Sequence, residues 1–146
     1  DKSAQRNLND YFAQLSPDEC LSDVNIQIEG RNIPALKKAE GVIMFEFLAL
    51  CDGPRSQSDY IEISREFQTV LLANVEQMDE SKDDIARRFI AMIDEFYERK
   101  VKLIISAEVD MEELYTNGRL KFEFQRCLSR LQEMQSRDYL SQAHLA

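Results

Sequence analysis

Glycine and proline are scarce, at 4 and 3 in 146 residues, which excludes collagen-like and low-complexity classes. Histidine occurs once, as His144, and Cys20, Cys51 and Cys127 lie far apart with no Cys-x-x-Cys. That inventory offers no zinc-ligand set. Three unclustered cysteines, an odd number among apolar neighbours, point to reduced thiols in a cytosolic or matrix-like compartment. No apolar run approaches the ~20 residues needed to cross a bilayer. The longest, Val42 to Cys51, is interrupted by Glu46. Positive charge is also short: 18 Lys and Arg stand against 27 Asp and Glu, a net charge of -9. Such a chain is a poor nonspecific binder of nucleic acid or anionic lipid.

What is present suits a folded domain. Hydrophobic residues make up 44% and charged residues 31%, enough for a core without disulfides or metals. The length fits one compact domain spanning 1–146. Charge is uneven along it. The stretch from Arg119 onward is net positive, whereas 1–118 holds the acids, with a cluster at Glu76, Asp79, Glu80, Asp83 and Asp84.

Periodicity assigns the elements. Leu8, Tyr11, Phe12 and Leu15 follow helical spacing, with Ser3 as a cap and Ser16-Pro17 as a stop. Val24, Ile26 and Ile28 alternate with polar residues before Gly30-Arg31, which predicts an antiparallel hairpin with 32–36. Val42–Phe47, Thr69–Val75 and Val101–Ala107 are apolar runs without strict alternation, as expected of strands buried on both faces. Helical patterns separate them. Ser58 is placed to cap one carrying Tyr60, Ile63 and Phe67. Ser81 and Asp84 have capping-box spacing ahead of another, with Ile85, Phe89, Met92, Ile93 and Phe96 inward. Asp84–Arg88 and Glu95–Arg99 are its outer i, i+4 pairs. A last long helix, about 123–141, carries Cys127, Leu128, Leu131 and Met134 on one face and ends in a polar tail. Strand–helix alternation implies parallel pairing. The expected fold is α/β: a small three-layer domain with a mainly parallel sheet, an added β-hairpin and a long C-terminal helix.

Catalytic chemistry finds little footing. No glycine opens G-x-x-x-x-G-K-[ST], so phosphate has no loop to cradle it. Val42–Glu46 has the texture of a Walker-B strand, yet Glu46 has no Mg²⁺–phosphate to serve, and any buried strand produces such strings. A nucleophile needs a positioned base, and His144 lies in the tail. Cys51 is placed at a strand end, where α/β folds put functional groups, but cysteine there is most often a small buried hydrophobe. Asp94 and Glu95 are adjacent on a helix and point apart. No catalytic residue and no metal ligand are therefore assigned.

The arginines are more informative. Arg126, Arg130 and Arg137 are spaced to line one side of the last helix, and Arg119 precedes them. A solvated outer face competes with recognition of phosphate or carboxylate by guanidinium forks. Arg87 and Arg88 sit near a helix start, where a cation is mildly unfavourable. A partner such as Asp59, Asp94 or a nucleotide would offset that cost.

Two strings go beyond spacing. Residues 86–108, opening Ala86-Arg87-Arg88-Phe89 and running through Asp94-Glu95-Phe96-Tyr97 to Ser106-Ala107-Glu108, resemble the C-terminal part of the ZapE or AFG-one-like ATPases. Residues 122–136, with Arg126-Cys127-Leu128-Ser129-Arg130-Leu131, are similar to that family's closing motif. Shorter matches fall at Phe45-Glu46-Phe47, Leu50-Cys51 and Asp59-Tyr60-Ile61. The resemblance spans about 26–140.

The family is of AAA+ type with one P-loop core, and its Walker and sensor segments precede the matched region. The resemblance therefore implies a C-terminal accessory domain of a larger ATPase, inactive alone, with ATP and Mg²⁺ bound by the intact protein. A chain opening on Asp1 rather than Met fits that expectation. It further implies that the partners are the chain's own P-loop core and a protein, the tubulin-like FtsZ in bacterial members. The implied location is the bacterial cytoplasm, or mitochondria as the alternative. Arg126 and Arg130 fall on the Arg-x-x-Ser-Arg-Leu motif, and Arg87 and Arg88 on the Arg-Arg-Phe motif. All four become candidates for nucleotide sensing or a subunit interface. The competing function is a non-enzymatic binding module whose acidic surface steers toward basic partners.

Overall fold

The computed structural model describes residues 2–16 and 19–145, with side chains from Asn7 onward. Helix α1 (Lys2–Leu15) precedes a hairpin of β1 (Leu21–Ile28) and β2 (Arg31–Ala39), then β3 (Val42–Glu46). Helices α2 (Phe47–Cys51) and α3 (Gln57–Glu66) lead to β4 (Thr69–Val75). A 3-10 turn (Glu80–Lys82) opens α4 (Asp83–Glu98), followed by β5 (Lys102–Ala107), α5 (Lys121–Glu133) and α6 (Arg137–Leu140).

The five strands form one sheet in the order β1-β2-β3-β4-β5. β3, β4 and β5 are parallel, while β1–β2 and β2–β3 are antiparallel. The expected hairpin and parallel trio are both present, and together they make a mixed sheet. The hairpin turn is tight, pairing Ile28 with Arg31. Glu29 and Gly30 both take positive φ, at 52° and 76°, the geometry that matches strand twist in a two-residue turn.

Helices cover both faces. Ile43, Phe45, Val70 and Leu72 meet α2, α3, α4 and α5 in the large core, where Phe89 stacks on Phe124 and meets Phe47 edge-on, each at 5.8 Å. On the other face Leu8 and Phe12 of α1 pack on Val42, Met44, Leu71 and Ala73. Tyr11 and Leu15, read as part of the same stripe, are exposed.

Several local expectations are corrected. Ser3 lies inside α1, which begins at Lys2, and Pro17 is outside the described residues. Phe47 starts α2 rather than ending β3, so Cys51 closes a short buried helix and not a strand. Ser56, not Ser58, caps α3, and its N–H donates to the Asp59 carboxylate at 2.7 Å. Ser81 belongs to the 3-10 turn, where its N–H donates to Asp79 at 2.9 Å, so no Ser81–Asp84 box forms.

The long final helix is broken. Ser136 accepts a hydrogen bond from the Tyr139 N–H at 3.2 Å and caps α6. The break returns Tyr139 to the core, where its hydroxyl donates to the Val101 carbonyl at 2.6 Å. The tail beyond also docks. Lys102 Nζ donates to the Gln142 carbonyl at 2.7 Å and Leu145 N–H to Arg99 at 2.9 Å.

Candidate functional site

Helices α4 and α5 run side by side, and their seam gathers two of the four candidate arginines. Arg130 Nη1 pairs closely with Asp94 Oδ1. Its guanidinium lies 5.1 Å from the centre of the Tyr97 ring. Arg126 Nη2 reaches the other Asp94 oxygen at 3.8 Å. The Tyr97 hydroxyl donates to Glu133 at 2.6 Å, a bond that raises its pKa. One carboxylate thus serves two guanidinium groups. Helical spacing dictates this: Asp94 and Tyr97 are i, i+3 on α4, and Arg126 and Arg130 are i, i+4 on α5.

The two arginines differ in commitment. Arg130 is 26% exposed, with its charge paired and its plane stacked. Arg126 is 61% exposed and held only at the limit of ion-pair distance, where such a pair contributes little. Its donors remain open to an anion. Arg130 staples α4 to α5, and Arg126 faces outward.

The other arginines separate from this pair. Arg137 starts α6 and no longer continues the α5 stripe. Arg119 pairs with Asp83 at 3.1 Å, and Tyr115 donates to the same carboxylate at 2.9 Å. Arg87 is exposed and Arg88 half-buried, and neither has an ion-pair partner among the described residues. Both carboxylates proposed for them are taken. Asp59 is fully buried and receives both contacts of Arg31 at 3.2 Å, while Asp94 serves α5. The i, i+4 pairs also fail to form: Glu95 instead accepts from Gln57 at 2.5 Å.

The acid cluster is largely consumed within the fold. Glu76 pairs with Lys82 at 3.1 Å, Asp83 is buried, and Ser81 hydrogen bonds hold the Asp79 carboxyl below its usual range. At the ends of the parallel strands, the Asn74 amide donates to both Glu46 oxygens at 3.1 Å, and Ser106 accepts from the Asn74 N–H at 2.9 Å. Asn74 takes a left-handed φ of 62° where the β4–β5 register shifts.

Of the three cysteines, Cys20 is exposed. Cys51 and Cys127 are buried, and desolvation pushes both thiols well above their ordinary range. His144 contacts the Ser64 carbonyl at 2.5 Å, far from either thiol along the chain. Among the described residues no cluster fits a metal ion, and no helix is long and apolar enough to cross a membrane. The exposed Arg126 guanidinium is a group that can meet an anion.

Asp94 was the functional contact least visible in the sequence. It reads there as one of two adjacent helix acids and as a candidate partner of Arg87 or Arg88. Its signal was same-face helical spacing on both helices, Asp94 to Tyr97 and Arg126 to Arg130, legible once the two helices are known to pack.

Comparison with known proteins follows the same lines. The model of the AFG1-like ATPase family matches residues 1–143. Cell division protein ZapE of Escherichia coli K12 is 52% identical over 121 residues, covering 83% of this chain and 32% of that protein. Lactation elevated protein 1 homolog B of Danio rerio is 28% identical over 146 residues, covering 78% of this chain and 29% of its own length. The chain thus spans about a third of the length of the curated relatives it matches. No solved structure matches it.

Proposed function

Because the chain belongs to the AFG1-like ATPase family, we propose that it is the C-terminal accessory part of an AAA+ ATPase. In this reading it couples ATP hydrolysis in a P-loop core to a protein partner and is inactive alone. ATP and Mg²⁺ belong to the intact protein. The higher identity to the bacterial cell-division relative favours a bacterial cytoplasmic protein over a mitochondrial one. It also favours a division-ring protein such as FtsZ as the partner.

The observation that carries the proposal is Arg126, an exposed guanidinium tied only loosely to Asp94. Its role is to contact the nucleotide or a neighbouring protomer, where a planar fork stabilises phosphate charge. Arg130 sets the height and direction of α5 from below. Arg87, exposed on α4 and without an ion-pair partner among the described residues, is the second contact candidate, and Arg88 the third.

The test is ATP turnover of the full-length protein carrying R126A, R130A or R87A. Turnover falls in R126A with the fold intact. Unchanged turnover in both R126A and R130A overturns the nucleotide-sensing role.

One observation favours a pure binding module. Phe122 is 83% exposed a single turn before Arg126, and an aromatic beside an arginine is the composition of a binding hot spot. F122A distinguishes the two. Loss of partner capture at unchanged turnover supports the binding module, and loss of turnover supports coupling.

A further inference from the structure

A second feature lies where the hairpin passes the end of β3. Asp23 takes a φ of 51° and interrupts the β1–β2 pairing between Ser22 and Val24. The interruption opens a crease of about 180 Å³ against β3 and α2. Val24, Pro34, Leu36 and Ala49 supply apolar walls, and Asp23 and Glu46 are the charged residues lining it. No lysine or arginine lines it. Among the described residues neither carboxylate belongs to an ion pair, and Glu46 accepts from the neutral Asn74 amide. Exposed Leu21 and Leu48 stand nearby in sequence, on β1 and α2.

An apolar slot with two unneutralised carboxylates has a definite complement. It suits a side chain with an alkyl stem and a cationic head, which buries the stem and keeps the charge at the rim. A guanidinium suits it better than an ammonium, because its planar fork of donors matches a carboxylate. We infer that this crease docks an arginine side chain of a partner polypeptide, flanked in that partner by apolar residues. The flanking residues would cover Leu21 and Leu48. The site is separate from Arg126, and it stands or falls independently of the ATPase reading.

The test uses amide NMR on the 146-residue chain. The probes are blocked arginine (N-acetyl-arginine amide), its neutral isostere N-acetyl-citrulline amide, and a blocked Leu-Arg-Leu tripeptide. At millimolar concentrations blocked arginine shifts the amides of Asp23, Val24, Leu36, Glu46 and Ala49 saturably, and citrulline does not. The tripeptide binds more tightly than blocked arginine, as a polypeptide occupant requires. D23N, E46Q and the double variant, each checked for an intact folded spectrum, weaken arginine binding, the double by about fivefold or more.

Shifts scattered over the acidic surface that survive the double variant overturn the site, and so does the absence of any shift. Equal affinity for blocked arginine and the tripeptide overturns the polypeptide occupant. Crease shifts that appear on concentrating the chain alone make a second copy the occupant, and overturn the proposal in favour of self-association.

Discussion

The two faces of the sheet are closed by unequal amounts of chain. On one, α2 to α5 enclose a continuous core in which Phe89 contacts both Phe47 and Phe124. On the other, α1 alone rests Leu8 and Phe12 on Val42, Met44, Leu71 and Ala73. The crowded face also holds the buried titratable groups Cys51, Tyr60, Cys127 and Tyr139. The difference separates stability from access. The crowded face fixes the geometry of α4 and α5, and so of the arginine seam. The lightly covered face contributes less to holding that seam in place.

Substitutions on each side sharpen this contrast. F89A removes the central ring of the aromatic contact chain and should cost ~4 kcal/mol, read from urea unfolding. F12A removes a ring of similar burial, but α1 can settle toward the sheet, so the cost should sit near the lower end, ~3 kcal/mol. Equal or reversed losses would break the comparison.

Alkali should act through the crowded face. Burial raises Cys51 and Cys127 above their ordinary value of 9.0, and Tyr60 and Tyr139 above 10.0. Below those ordinary values their contribution is fully present. As pH rises past them the unfolded chain loses protons that the folded chain keeps, and stability falls. Lys102 acts in the opposite sense, since burial, aided by Lys100, lowers its pKa from 10.5. Being one group against four, it should not reverse the trend. Thermal melts from pH 8 to about 11 should show a falling midpoint, and a flat profile would contradict the burial of these groups.

Within the seam the effects are smaller. R130A loses a partly buried ion pair and a stacking contact and should cost ~1 kcal/mol. R126A should change stability by less than ~0.3 kcal/mol, its pair being long and exposed. A larger loss in R126A than in R130A would reverse their roles.

Much of this was legible in the sequence because the signals were local. The hairpin announced itself through alternation and Gly30. Thr69–Val75 was read to the residue, because its apolar run has polar neighbours at both ends. The inward face of α4 followed from Phe89, Met92, Ile93 and Phe96 at helical spacing. What stayed hidden depends on tertiary contact. The face on which α1 packs leaves no mark in its own periodicity. The break at Ser136 was masked by continuing helical spacing, and only the buried bond from Tyr139 to Val101 explains it. The competition for Asp59 and Asp94 was decided by packing. Arg31 reaches Asp59 from the hairpin, across 28 residues of sequence.

The central claim is that Arg126 is held ready for a contact outside this chain while Arg130 serves the fold. The direct measurement is ATP turnover of the full-length protein with R126A and R126K, alongside its melting midpoint. Turnover should fall about tenfold or more in R126A and recover in part in R126K, with an unchanged midpoint in both. Turnover equal to that of the unaltered protein in R126A would contradict it.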